Sequence, residues 1–223
     1  MKRILKSYLM FTSLIYRIVM FIIMPVVMIV IAFCIGVDFG HADTATLQSV
    51  PGIVVCMLLP LVEIIADNWV FGGIQSKDAH KLDYLKTSSA GMQVMQNALL
   101  IDLLRKFLSA VVIMCVSYGL IYWRMMQDST IVLIEDDLKM LPCAVMVSYF
   151  FSVLGTVLAR YGSMVWLNVM VAYLLEFITL VCVNVMMECA VVYSFLPGIL
   201  DVVISILAVR IAMKKVEGSF YDK

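Results

Sequence analysis

Charged residues are scarce in this sequence: Lys, Arg, Asp and Glu make up 14% of its 223 residues, against about 25% in a typical soluble domain. Neither sign is in excess, because 16 basic residues balance 16 acidic ones, and histidine occurs only twice. Hydrophobic residues account for 64%, which is more apolar surface than a soluble core of this size buries. The composition excludes intrinsic disorder, a fibrous protein and a basic nucleic-acid binder, and it predicts an integral membrane protein.

Sequence motifs for nucleotide hydrolysis and for common hydrolases are also absent. No glycine is followed by lysine, so the GxxxxGK[ST] phosphate-binding loop cannot be present, and neither HExxH nor GxSxG occurs. His41 and His80 have no set of candidate metal ligands around them. The six cysteines form no CxxC pair and most lie in apolar runs, which favours free thiols over a disulfide or metal framework. We therefore expect no enzyme activity, cofactor or metal site on this chain.

Six apolar segments are long enough for membrane-spanning helices, which need about 20 residues each. They predict an all-α, polytopic membrane protein with a single domain over residues 1–223. Because the apolar character hardly falls between the last two segments, a re-entrant or interfacial helix over 186–195 is an alternative to a loop there. The predicted spans are 18–37, 47–66, 107–123, 138–159, 164–187 and 191–213.

The basic residues are distributed unequally between the two sides of these spans. Of the 16, fourteen lie on the side that carries both termini, and only Arg124 and Lys139 lie on the other. Because cytoplasmic segments are enriched in Lys and Arg, we expect both termini in the cytoplasm.

Residues 1–17 have the pattern of an amphipathic helix. Lys2, Lys6, Ser13 and Arg17 fall on one helical face, and apolar and aromatic side chains fill the opposite face. We predict an interfacial helix whose basic face meets anionic lipid headgroups. The alternative is an extension of the first spanning helix.

Segment 70–106 is the long cytoplasmic connection. A Gly-Gly pair at 72–73 interrupts helical structure after the second predicted span, and Ser76 can cap a helix over 77–86. A further helix is predicted from about Met92 into the third span. Two helices and a hinge form a surface that a soluble partner could bind. The alternative is a loop that only connects two spans.

Two acidic residues lie near the middle of predicted spans, Glu176 in the fifth and Asp201 in the sixth. A charge at the centre of the membrane costs about 2.5–3.5 kcal/mol on insertion scales, so each acid needs an explanation. We interpret them, together with Asn184, as candidates for a translocation path or a proton site. The alternatives are a hydrogen-bonded structural pair between adjacent helices, or a position nearer the membrane surface if the connection between the last two spans is re-entrant.

Glu63 and Asp67 lie on one helical face at the cytoplasmic end of the second span. Like charges at this spacing repel one another, so they need basic neighbours. Arg105 and Lys106 are candidates, and we predict an interfacial charge network from these four residues rather than a substrate site.

The fourth span carries a stripe of small residues, which lets another helix approach closely. It predicts a packing face, either within the subunit or between subunits. Its members are Ala144, Ser148, Ser152, Gly155 and Ala159.

The order of these segments resembles the membrane subunit of an ATP-binding-cassette exporter of the type-2 permease class. An amphipathic N-terminal helix, two spans, a helical cytoplasmic loop and four further spans follow one another over nearly the whole chain. The loop is most similar to that of the family at residues 80–88 (HKLDYLKTS) and 103–108 (LLRKFL). The proline that members often have in this loop is missing, and Ser88 and Ser89 stand in its place.

The resemblance implies a half-transporter of a bacterial cytoplasmic membrane: two permease subunits, alike or different, joined to two separate ATPase subunits that bind ATP and Mg²⁺. It implies that the cargo is exported, and small relatives often handle antimicrobial peptides. It also implies that the cytoplasmic loop is the ATPase-coupling element, through Lys77, Asp78, His80, Lys81, Asp83, Tyr84 and Lys86.

Two other functions remain open. A six-span substrate-binding subunit of an importer would use a small-residue stripe to contact its partner. A non-transporting membrane scaffold or immunity protein would not stimulate an ATPase.

Overall fold

The computed structural model of the chain describes residues 6–9, 12–39, 55–66, 90–128, 141–161, 165–189, 193 and 195–221. All regular structure in these residues is helical, which confirms the predicted all-α class. Helix α1 consists of α-helical Leu14–Ile18, a π-helical turn at Val19–Ile23 and α-helical Met24–Phe39. The other helices are α2 (Val55–Ala66), α3 (Gly91–Gln127), α4 (Leu141–Tyr161), α5 (Val165–Cys189) and α6 (Phe195–Tyr221).

The N-terminal segment is interrupted at Ser13, so the predicted single helix over residues 1–17 is wrong at its C-terminal end. Residues 6–9 are helical, whereas Thr12 and Ser13 are not. The Ser13 hydroxyl accepts a hydrogen bond from the Tyr16 N–H at 3.1 Å and thereby caps α1. Residues 14–17 thus extend the first predicted span, while residues 1–5 lie outside the described residues.

Pro25 accounts for the π-helical turn in α1. Proline has no N–H, and its ring collides with the carbonyl four residues earlier in a regular helix. A π turn relieves such a collision because it widens the helix locally. Here the Met24 N–H donates to the Val19 carbonyl, five residues back. The chain therefore stays helical through the proline as far as Phe39.

Helix α3 runs without interruption over 37 residues, which corresponds to about 55 Å at 1.5 Å per residue. It joins the helix predicted from Met92 to the predicted third span into one element. The Asp128 N–H donates to the Arg124 carbonyl at 2.9 Å, just after the end of the helix.

The connection between α5 and α6 is confined to residues 190–194. Residues 186–189 continue α5, and Phe195 already begins α6. In this part of the described chain there is accordingly no separate helix starting at residue 186. Asp201 lies in the second turn of α6, closer to the start of its helix than predicted, because α6 begins and ends later than the span 191–213.

Helix α4 lies at the centre of the described bundle and packs against α3, α5 and α6, while α1 packs against α3. The main core cluster brings Met28 of α1, Leu59 of α2, Ile113 of α3 and Val145 of α4 together. Tyr16 and Met20, nearer the start of α1, pack with Ala66 at the end of α2. Helices α1 and α2 therefore run antiparallel to each other.

One helix among the described residues, Leu14–Ile35, is long and apolar enough to cross a membrane. Shorter apolar helices occur at Val55–Ala66, Leu141–Val157 and Val169–Val183. These features are compatible with membrane association.

The surface of helix α3 is also compatible with membrane association, because a row of apolar side chains points outwards while three charged side chains in its first half are buried. Asp102, Arg105 and Lys106 are buried. The outward side chains follow one another at steps of four residues and are Leu100, Leu104, Leu108, Val112, Val116 and Leu120.

The cysteines whose side chains are described form no disulfide with one another. Cys34, Cys115 and Cys182 are exposed on the helix surfaces, and Cys56 and Cys143 are buried.

Candidate functional site

A buried ion pair joins α2 to α3. Arg105 donates to both carboxylate oxygens of Glu63, with distances of 2.9 Å from Nη1 to Oε1 and 2.5 Å from Nη2 to Oε2. The two side chains are only 3% and 2% exposed. A two-pronged pair of this kind is among the stronger polar contacts in proteins and holds both side chains in one orientation.

Asp102 links this pair to Lys106. Its Oδ1 accepts from Arg105 Nη2 at 3.1 Å and from Nε at 3.3 Å, and its Oδ2 lies 3.2 Å from Lys106 Nζ. Asp102 precedes the two basic residues by three and four positions, so all three share one face of α3. Two positive and two negative side chains make the cluster neutral overall.

A hydroxyl group on α4 completes the cluster. Lys106 Nζ donates to Thr156 Oγ1, and the Thr156 hydroxyl donates to the Ser152 carbonyl at 2.6 Å. The cluster of Glu63, Asp102, Arg105, Lys106 and Thr156, called here the ion cluster, therefore connects α2, α3 and α4.

The charge of Arg105 is maintained by its neighbours. Burial alone would lower the pKa of the guanidinium, but the carboxylates of Glu63 and Asp102 outweigh burial and hold this pKa well above its usual value. Tyr8 lies close enough to interact with Arg105, and burial raises the pKa of Tyr8 to about 12. The helical residues 6–9 therefore contribute to the cover over the ion cluster.

The structure brings three residues of the predicted charge network, Glu63, Arg105 and Lys106, into one cluster, whereas Asp67 lies outside the described residues. The cluster is buried inside the bundle rather than exposed at its surface, because α4 and residues near the N-terminus cover it. Asp102 was not predicted. Its spacing from Arg105 and Lys106 on one helix is the signal that would have identified it.

The small residues of α4 lie against α2. The Ala144 carbonyl accepts a hydrogen bond from Cys56 Sγ at 3.4 Å, and a Cβ at Gly155 would overlap the Ile64 side chain. Ser148 and Ser152 are buried on the same side. At these positions the stripe is a packing face within the subunit, while the side chain of Ala159 lies outside the described residues.

Gly155→Val is expected to lower the free energy of unfolding by about 1–3 kcal/mol, because the added side chain must displace buried Ile64. Gly119→Val is the matched control, since a Cβ at Gly119 meets no atom within 4 Å, and a change within about 0.5 kcal/mol is expected there. Unfolding in mixed detergent micelles measures both. Equal effects of the two variants would contradict the close contact of α4 with α2.

Glu176 and Asp201 form a second group of buried charge-bearing residues. They are 1% and 4% exposed, on α5 and α6 respectively. Within the described residues, Glu176 Oε1 and Asp201 Oδ2 have no hydrogen-bond partner. The two carboxyl groups are near enough for their charges to interact. The side chain of Asn184, the third predicted member of this group, lies outside the described residues.

Cysteine and tyrosine side chains from α2, α4 and α5 lie near these two acids. The Tyr173 hydroxyl, one turn before Glu176, donates to the Met57 carbonyl of α2 at 2.9 Å. Cys56 lies within electrostatic range of Glu176, and Cys143 within range of Asp201. The hydroxyl of Ser148 is buried as well and has no hydrogen-bond partner among the described residues.

The predicted ATPase-coupling residues, Lys77, Asp78, His80, Lys81, Asp83, Tyr84 and Lys86, all lie outside the described residues. The described side chains offer two kinds of chemistry: a neutralised ion cluster that holds helices together, and a pair of acids that lacks basic partners among the described ion pairs. No protein-family model, curated protein or solved structure matches this chain.

Proposed function

We propose that this protein is the membrane-embedded permease subunit of an ATP-driven exporter. The observation that carries the proposal is helix α3, which continues without a break from the end of the long cytoplasmic connection into the predicted third span. A continuous helix transmits a displacement along its axis. Movement of a soluble partner bound near residues 77–86 would therefore reach the membrane-spanning part of the chain.

The distribution of side chains on α3 supports placement in a membrane. In a soluble protein a row of outward leucine and valine side chains would face water, and buried charges would be rare. In a lipid environment the apolar row faces acyl chains and the charged side chains turn inwards to pair with one another. We extend this interpretation to the six predicted spans, with both termini in the cytoplasm.

The ion cluster supports a mechanical role for α3. Arg105 pairs with Glu63 on α2, and Lys106 contacts Thr156 on α4. Separating a buried pair leaves a buried charge without its partner, and the loss of one partner typically costs about 3–5 kcal/mol. Helices α2 and α4 are therefore expected to follow α3 when it moves.

The absence of a phosphate-binding loop from the sequence places ATP and Mg²⁺ on a partner subunit in this proposal. The complete exporter would hold two ATPase subunits and a second permease, either another copy of this chain or a similar one. Membrane lipid surrounds it, and the cargo class is an antimicrobial or other peptide. The small-residue stripe, which an importer module would use for a partner, is covered by α2 between Ala144 and Gly155. This favours the exporter.

Co-purification from native membranes tests the proposal. The tagged protein is expected to bring down a subunit that contains a phosphate-binding loop, together with ATPase activity. Replacing Lys77, Lys81 and Lys86 with glutamate is expected to abolish both the co-purification and the ATPase activity, because three positive charges of the coupling surface would become negative. The matched control replaces Lys214 and Lys215, which are predicted on the same side of the membrane. Loss of the ATPase in the control, or its retention after charge reversal at 77–86, would contradict the coupling assignment.

A further inference from the structure

We propose that Glu176 and Asp201 form a proton-binding site inside the helix bundle. In the closed bundle both side chains would be neutral carboxyl groups. When the bundle opens and water reaches them, each would release its proton to water and become a carboxylate. The step involves only the O–H bond of each carboxyl group, and the proton returns from water when the bundle closes.

The first support for this site is geometric. Glu176 lies near the middle of α5 and Asp201 in the second turn of α6. Both are more than nine-tenths buried, and each has a buried oxygen without a hydrogen-bond partner among the described residues. In an ionised carboxylate, that oxygen would be removed from water and would have no donor among the described residues, which is costly for a charge in a protein.

The second support is the mutual position of the two acids. Their charges are close enough to interact. Two carboxylates that share one site repel each other, so at least one of them is favoured in the neutral form. Binding a proton removes this repulsion and the cost of burial together, and it requires no additional space in a packed interior.

The third support comes from the groups that face the pair. Among the described residues, Cys56 of α2, Cys143 of α4 and Tyr173 of α5 are in electrostatic contact with it, and each is uncharged in its ordinary neutral-pH form. Helix α3 approaches α6 at the core cluster that contains Leu99 and Leu103 and against which Ala208 packs, about two turns from Asp201.

The buried basic residues of the described chain do not supply the missing partner. Arg105 and Lys106 are engaged with Glu63 and Asp102 in the ion cluster.

Infrared spectroscopy of the full chain in phosphatidylcholine vesicles tests the proposal without any ATPase or cargo, so its failure is distinguishable from failure of the proposed function. At neutral pH the wild-type protein is expected to show the carbonyl-stretch band of protonated carboxyl groups in an apolar environment. The double variant E176Q/D201N is expected to lose this intensity, and each single variant should lose roughly half of that amount. The control D128N changes a partly exposed acid and should leave the band unchanged.

Absence of the band from the wild-type protein at neutral pH would overturn the proposal, and so would a band of full intensity in the double variant. Circular dichroism establishes that each variant retains its helix content. If the double variant does not fold, the wild-type spectrum and the single variants E176Q and D201N decide by the same criteria.

Discussion

Replacing Arg105 with methionine is expected to lower the free energy of unfolding by about 3–5 kcal/mol, because it leaves Glu63 buried without its positive partner. Asp102 keeps Lys106 as its partner but also loses its contacts to the guanidinium. Unfolding in mixed micelles with increasing denaturing detergent measures the effect.

The double variant E63Q/R105M is expected to be more stable than R105M, since removing both charges restores a neutral cluster. The exposed pair of Arg124 and Asp128 provides the control: its atoms are 4.0 Å apart and its side chains are 42% and 32% exposed. R124M is expected to change stability by no more than about 1 kcal/mol. If R105M cost no more than R124M, the ion cluster would not hold the helices together.

Replacing Leu100 with proline is expected to destabilise the protein by about 3 kcal/mol or more and to bend α3. Proline removes the helical hydrogen bond from residue 100 to the Gln96 carbonyl and collides with that carbonyl. The Leu100 side chain is 54% exposed, so little packing is lost. L100A is therefore the control that separates the backbone effect from the side-chain effect.

Pulsed electron spin resonance measures the bend directly. Spin labels on Cys115 and on a cysteine introduced by Q93C, with the other cysteines replaced, span 22 residues, or about 33 Å in a straight helix. We expect L100A to keep this distance and L100P to shorten and broaden it, with loss of ATPase stimulation in the proposed complex. An unchanged distance in L100P would show that α3 tolerates proline and would remove the mechanical argument.

The sequence predicts the helices well because apolar periodicity and local breakers act over short distances. The start of the helix near Met92 and the helical character of the predicted spans follow from such local rules. The break at Ser13 is also local, since a serine followed by helix-forming residues is a capping signal, but the basic and apolar faces of residues 1–17 obscured it.

The sites depend on contacts between distant residues, and these are predicted less completely. The pairing of Glu63 with Arg105 was accessible because Glu63 and Asp67 share one helical face at the end of a predicted span and therefore need basic neighbours. Tyr173 illustrates the opposite case: its hydroxyl donates to the Met57 carbonyl, and every residue offers such a carbonyl. Only the packing of α5 against α2 selects this one. In the same way, the sequence predicts that Glu176 and Asp201 lie within membrane spans, but it does not show which groups face them.

The π-helical turn of α1 determines the direction in which the side chains after the turn face, relative to those before it. Tyr16, Met20, Met24, Met28 and Ala32 are all buried, at steps of four residues. In a regular α-helix, four residues turn by about 400°, which is about 40° more than a full turn. Over the four steps from residue 16 to residue 32, the direction of the side chains would therefore rotate by about 160°, almost to the opposite side of the helix. A turn with i→i+5 hydrogen bonds holds more residues and therefore reduces this rotation. Pro25, by inducing that turn, keeps the buried row directed into the bundle, towards Ala66 of α2 at one end and towards the main core cluster at the other.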